Sequence, residues 1–320
     1  MFAYFLRRLI ITMPILIGVT MINFAIMNLA PGDPVTAMLD PEQMALLGPE
    51  WVERQKVELG LDKPAPVRYV LWLGEAARGN LGYSLVDRRQ VAEKLAERIG
   101  PTLRLMVSAL LIALTVAIPV GIISAVYQYS VTDYIANLTG LAMISIPGFF
   151  IGMASIYIFA LKLKWVPTAG MMTIGGEGGL GDALHHLVLP ALVLGLAEAG
   201  PLIRYTRASM LEVIHEPYVS MARAKGLPNR VVLVRHALRN ALIPLTTIVA
   251  LQFPMLVGGA VIIEAMFAWP GMGSLAITSI FARDYTVIMA INLMGALAIV
   301  LSSLIADFLY AVVDPRVRYG

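Results

Sequence analysis

The sequence contains no cysteine. That excludes a disulfide scaffold, a thiol nucleophile and any cysteine-ligated metal site. Charge is scarce as well: 14% of the 320 residues are Asp, Glu, Lys or Arg, against about a quarter in an ordinary soluble domain. There is no Gly-x-x-x-x-Gly-Lys-Ser/Thr loop, so ATP is not bound by that route. There is no Gly-x-Ser-x-Gly nucleophile elbow either. His215 and Glu216 open a zinc-protease pattern, but the second histidine it needs four residues on is replaced by Val219. His185 and His186 lie near Glu177 and Asp182. Adjacent helical residues point about 100° apart, so two such histidines converge poorly on one ion.

What the chain does have is apolar sequence. Hydrophobic residues make up 58% and the mean hydropathy is +0.77. A helix needs about 20 apolar residues to cross a bilayer. Uncharged runs cover 9–32, 105–132, 134–161, 240–263 and 285–306, and a sixth run, 187–203, is interrupted only by Glu198. Six transmembrane helices are therefore predicted. The first follows Arg7 and Arg8 like a secretory signal, but its core is longer than a typical signal's and NLAPGD is a poor cleavage site, so an uncleaved span is expected. Pro14, Pro119, Pro147, Pro190, Pro201 and Pro254 fall inside the spans. Each removes a ladder hydrogen bond and can kink its helix. The GFFIG stretch (148–152) is a small-xxx-small pattern that suits close helix packing.

Basic residues orient the spans. Arg7 and Arg8 place the N-terminus in the cytoplasm, and six crossings return the C-terminus, with Arg316 and Arg318, to the same side. The 204–239 loop is then cytoplasmic. It carries Arg204, Arg207, Arg223, Lys225, Arg230, Arg235 and Arg239 against Glu212 and Glu216. The long 33–100 segment is extracytoplasmic and reads as a small helical subdomain. One helix starts at Pro49 and stops at Gly60, PVRYVLWLGEAARG makes a second, and Val91, Leu95 and Ile99 mark a third. GNLGYS (79–84) is a turn. The organisation is a first span (1–32), the subdomain (33–100), a five-span core (101–313) and a tail (314–320).

Between the fourth and fifth runs lies PYVSMARAKG. Pro217 suits the first position of a helix and Gly226 the residue past its end. Tyr218, Ala222 and Gly226 share one small-residued face, flanked by Arg223, Ala224 and Lys225. The helix is too short and polar to span. It either docks on a soluble partner or lies on anionic lipid. Glu198 is the one clear charge within a span, a functional candidate by default. Two roles stand open for it: a charge facing a translocation path, or a structural partner of Arg204 or Arg207. The basic loop is too small and too close to the membrane for nucleic acid.

This segment resembles the cytoplasmic-loop signature of ABC importer permeases, Glu-Ala-Ala, three residues, Gly, then a spacer ending near Ile-x-Leu-Pro. Here Ser220, Met221 and Ala222 occupy the first three places, Gly226 matches the glycine, and ALIP (241–244) stands at the end of a longer spacer. ARAKGL and RHALRNALIP look like the variant of the dipeptide, oligopeptide and nickel branch. LAPGDP (29–34), GLDKPAPVRY, GNLGYS, HLVLPAL (186–192), EAMFAWPGMGSLA (264–276) and RDY (283–285) follow that branch in order along nearly the whole chain.

The resemblance implies an all-α, six-span, type I importer permease fold in a bacterial inner membrane. It implies that the 217–225 helix couples the chain to an ATPase. The partners would be a second permease, two ATP-binding subunits that carry ATP and Mg, and an extracytoplasmic binding protein. No cofactor is expected in this chain, and catalysis is expected elsewhere. The cargo would be di- or oligopeptide, with glutathione and nickel left open. The rival class is a self-sufficient secondary transporter, which should show more intramembrane charge and often an inverted repeat.

Overall fold

A computed structural model describes residues 2–29, 41–58, 62–176, 178–252 and 260–313. Gly60, Glu177, Pro254, Arg316, Arg318 and the LAPGDP motif beyond Leu29 lie outside the described residues. The described elements are all helices, with one isolated antiparallel bridge between Tyr83 and Gln90. They run α1 (Phe2–Leu29), α2 (Pro41–Glu58), α3 (Ala65–Ala77), α4 (Val91–Val126), α5 (Val131–Ser145) and α6 (Gly148–Ser155), the last continuing as a π-helical Ile156–Lys162. After α7 (Leu180–Ile214) and α8 (Pro217–Ala224), α9 (Asn229–Val231) passes through a π-helical Val232–Leu238 into α10 (Arg239–Leu251). Then come α11 (Val261–Met266), α12 (Met272–Phe281) and α13 (Tyr285–Val313).

Four of these helices hold stretches long and apolar enough to cross a membrane: Ile11–Leu29, Val91–Val126, Leu180–Ile214 and Tyr285–Ile305. The predicted 134–161 span is a bent pair. α5 and the α6 helix with its π-helical extension meet at 96°. The break falls at Pro147, whose preceding residue Ile146 is extended (ψ 124°), as the residue before a proline favours. Pro14, Pro119, Pro190 and Pro201 stay within continuous helices. The predicted 240–263 span begins as α10, and its middle lies outside the described residues.

Two predicted boundaries shift. Gly48 leaves helical geometry (φ 74°, ψ 162°), so the Pro49 start is present inside α2. The third subdomain helix is not separate: Val91 and Leu95 open α4, which runs on through Pro101 for 36 residues. The buried positions Val91, Leu95, Thr102, Leu105, Ala109, Ala113 and Ala117 form one stripe across that proline. Burying it against neighbours outweighs the loss of one ladder bond. The expected domain edge at residue 100 therefore falls inside a helix.

α4 and α7 form the spine of the bundle. Ala113 and Ala117 of α4 pack with Ala199, Leu202 and Ile203 of α7 and Leu245 of α10. The approach is close enough that a Cβ on Gly195 would sit 2.7 Å from the Ala109 carbonyl oxygen. Small residues allow this backbone proximity. At the Leu29 end, the EAMFAWPGMGSLA motif folds α11 and α12 back onto α4. The Trp269 Nε1–H donates to the Pro101 carbonyl at 2.9 Å. Thr102 Oγ1 donates to Glu264 at 2.8 Å and accepts from the Met272 N–H at 2.7 Å. Glu264 is fully buried and also accepts from the Ser274 N–H at 3.0 Å. GFFIG packs closely at one of its two glycines: a Cβ on Gly152 would strike Met266 of α11, whereas nothing lies within 4 Å of where a Gly148 Cβ would stand.

Candidate functional site

α8 sits at the end of α7, one residue pair beyond Ile214. Pro217 takes its first turn, where no N–H is required. Glu216 precedes it in extended geometry, and its carbonyl accepts the Val219 and Ser220 N–H groups at 3.0 and 3.1 Å. The helix stops at Gly226, which has φ +76° and donates its N–H to the Arg223 carbonyl at 2.9 Å. Nothing lies within 4 Å of where a Gly226 Cβ would stand, so the backbone angle is what selects glycine. The predicted bounds of the short helix are thus reproduced.

Its predicted faces are not. Val219 and Ala222 are the buried pair, packed with Ala125, Met210, Ile214, Val232, Ala237 and Ala241. Ala222 is small because it meets this chain's own α7 and α10 region. The Tyr218–Ala222–Gly226 stripe is therefore split. Tyr218 is 40% exposed, and its hydroxyl accepts from Asn240 Nδ2 at 2.8 Å. The open surface consists of Pro217, Tyr218, Ser220, Met221, Arg223, Ala224, Lys225 and Gly226. It is basic at its C-terminal end, where cations complement the helix dipole.

Beside it lies a polar hub that the sequence reading missed. Asp133, on the first turn of α5, is 4% exposed. Arg207 of α7 donates Nε to Oδ1 at 2.7 Å and Nη2 to Oδ2 at 2.8 Å. Ser124 Oγ and Asn137 Nδ2 donate to Oδ1 at 2.5 and 2.7 Å, and the Tyr129 N–H donates to Oδ2 at 2.9 Å. The carboxylate thus joins α4, α5 and α7, the helix that carries α8. One local clue existed. Ser130 and Asp133 have the Ser-x-x-Asp spacing of a helix start, and the Ser130 side chain does accept the Asp133 N–H.

Glu198 is half-buried on α7 and accepts from Gln252 Nε2 at 3.0 Å. The expected structural pairing with Arg207 is overturned, because Arg207 is committed to Asp133. Among the described residues no ion pair links Glu198 to Arg204. At the Leu29 end, His185 Nε2 donates to the Trp165 carbonyl at 2.7 Å. His186 Nε2 stands 3.3 Å from Thr173 Oγ1 and 3.5 Å from Asp182. The two histidines serve different partners. Among the described residues no group of three or more His, Asp or Glu side chains is placed to hold a metal ion.

Comparison with known proteins fits this arrangement. Residues 117–319 match the family described as binding-protein-dependent transport system inner membrane component. Residues 1–106 match its N-terminal companion. The chain is similar to the oligopeptide transport system permease protein AppB of Bacillus subtilis, 42% identical over 320 residues with both chains fully covered. It is 42% identical over 319 residues to a putative peptide permease protein of Brucella ovis, 99% of each being covered. It is 37% identical over 319 residues to the glutathione transport system permease protein GsiC of Escherichia coli K12, with full coverage of both. Among solved structures, a chain of the inward-facing MetNI methionine ABC transporter matches with TM-score 0.56 at 16% identity. The match covers 69% of this chain and 96% of that one. The fold is that of a type I ABC importer permease, multi-pass in the inner membrane, and its family consists of transport permeases rather than enzymes. The chain belongs to the binding-protein-dependent transport system inner membrane component family.

Proposed function

We propose that this chain is half of the translocation pore of an ATP-driven importer of di- or oligopeptides, with α8 as its coupling helix. The observation that supports the coupling role is the placing of α8. It is an eight-residue helix packed by Val219 and Ala222 onto the end of the spine helix α7, with Met221, Arg223 and Lys225 left open. A separate ATPase subunit would seat on that open face. Two such subunits carry ATP and Mg in this reading, a second permease completes the pore, and an extracytoplasmic binding protein delivers the cargo. Both termini and the 204–239 loop lie in the cytoplasm, on the strength of the basic residues there.

The peptide cargo is proposed from the relatives named as peptide permeases. The glutathione permease relative keeps glutathione as the nearest alternative, with nickel a further one within the branch. A tagged chain recovered from its own membrane in mild detergent tests the assembly. Co-purification of a second permease and ATPase subunits is expected. A chain that purifies alone as a stable homo-oligomer overturns the reading and favours a self-sufficient transporter.

A further inference from the structure

α3 is apolar on two opposite sides. On one side Tyr69 and Trp72 pack against Phe24 of α1, with ring centroids 5.5 and 6.4 Å away. Trp72 also shares a seam with Met289 and Leu293 of α13. On the other side Val67, Val70 and Leu71 are 46, 65 and 51% exposed. Their i, i+3, i+4 spacing makes them one stripe. In water such a stripe would be an uncovered hydrophobic patch.

The hydrogen bonds fix how deep α3 lies. The Tyr69 hydroxyl donates to the Ile17 carbonyl at 3.1 Å and lies 2.9 Å from Thr20 Oγ1. Both residues belong to the Ile11–Leu29 span. They stand twelve and nine residues before Leu29, or about 14 to 18 Å along the helix at 1.5 Å per residue. A tyrosine side chain alone cannot reach that far, so the α3 backbone itself sits below the level of Leu29. Arg68 points the other way, and its Nη2 donates to Asn28 Oδ1. A long cation reaching toward the end of the span is snorkelling geometry. Ile22, Ile26 and Leu29 of α1 are likewise exposed, on the face of that helix turned away from α3. Charge gathers after the apolar section, where Glu75 accepts from Arg78 and Asn80 at 3.2 and 2.9 Å.

We propose that α3 is embedded in the leaflet at the Leu29 end of α1, with Val67, Val70 and Leu71 against lipid acyl chains. The helix expected to belong to an aqueous subdomain is then a membrane element. It is buttressed on α1 and α13, and it ties the intervening loop to the bilayer rather than to solvent. The placement does not depend on which side of the membrane that leaflet faces, nor on the transported cargo.

The chain has no cysteine of its own, so in single-cysteine variants label read on this chain's own band comes from the introduced thiol alone. Val70→Cys, Leu71→Cys and the exposed control Lys63→Cys are made in the full chain, assembled with its co-purifying subunits in nanodiscs. A charged, water-soluble maleimide is expected to label positions 70 and 71 about tenfold more slowly than 63, because a thiol in hydrocarbon does not ionise. A fluorophore placed at 70 or 71 in detergent should, after reconstitution, be quenched by brominated phosphatidylcholine far more than one at 63. Equal labelling rates overturn the proposal. Slow labelling without bromolipid quenching overturns it too, and means that protein covers the stripe.

Discussion

Arg207 grips Asp133 with both arms of its guanidinium, Nε to Oδ1 at 2.7 Å and Nη2 to Oδ2 at 2.8 Å, across 74 residues of sequence. The pair ties the α4–α5 turn to the helix that carries α8. Removing one partner of a buried pair costs about 3–5 kcal/mol, because the other charge is left uncompensated. Asp133→Ala and Arg207→Ala should each lower the unfolding midpoint of the detergent-purified chain sharply. The double variant should lose less than the sum of the two, the mark of coupled groups. Arg207→Lys should fall between, since a lysine keeps the charge but not the planar fork. Additive losses in thermal unfolding would show that the two residues act separately.

Gly226 is set by backbone geometry, not by space. Its φ of +76° costs a non-glycine residue about 1–2 kcal/mol, and a β-branched one more. Gly226→Val should abolish ATP-driven uptake while membrane insertion and chain abundance persist, and Gly226→Asn should retain part of the uptake. Ala222→Glu is a different experiment. Ala222 is 6% exposed within this chain's own core, so a carboxylate there should destabilise the permease itself. Met221→Glu, on the open face, is the variant that probes docking. It should weaken recovery of ATPase subunits and leave the chain's own stability unchanged.

Thr102 stands at the centre of the hairpin clamp, donating to Glu264 and accepting from the Met272 N–H. Thr102→Val keeps the shape and removes both bonds, leaving two buried groups short of a partner at about 1–3 kcal/mol each. Thr102→Ser should restore most of the loss. Trp269→Phe removes the indole bond to the Pro101 carbonyl and, because Trp269 is 1% exposed, also leaves a small cavity, so it should cost about 2 kcal/mol. Thermal unfolding of the three variants, ranked Thr102→Val, Trp269→Phe, Thr102→Ser from most to least harmful, checks the clamp.

Of the six predicted spans, four were legible as single long helices among the described residues, because a bilayer demands long uncharged runs, and the bounds of α8 were legible because Pro217 and Gly226 each do one geometric job. The break at Pro147 was legible as a candidate, but the sequence did not single it out from Pro14, Pro119, Pro190 and Pro201, which stay within continuous helices. That choice depends on what each helix packs against. α4 was read as two helices because Pro101 looked like a boundary. The stripe from Val91 to Ala117 shows continuity only when read through the proline. The Asp133 hub was invisible for another reason. Its ligands come from three helices, and no local pattern pairs Asp133 with Arg207. The face of α8 was misread because four-residue spacing picks out Tyr218 and Ala222 equally well, whereas burial chooses Val219 and Ala222.

The 82–90 loop offers a pH test. The Lys94 ammonium, 2.8 Å from Asp87 Oδ2, is the main cause that pulls the Asp87 carboxyl down to about 2 from 3.8. Lys94 also donates to the buried Ser84 Oγ at 3.1 Å. A carboxyl held below its unfolded value adds stability that is complete above 3.8 and disappears as pH falls through about 2. The Asp87 side chain is 41% exposed, so solvent screening keeps the contribution small and its effect local. Pepsin, active in acid, can report it. Cleavage within 82–90 should rise only near pH 2 in the native chain. Lys94→Met returns Asp87 toward its ordinary value, so cleavage should begin nearer pH 4. Leu85 accounts for the sensitivity of this readout: it is 8% exposed, and its N–H is held by Asp284 at 3.1 Å, so the loop must open before a protease can enter. An unchanged onset in Lys94→Met would mean that Asp284 and Ser84 hold the loop without help from the ion pair.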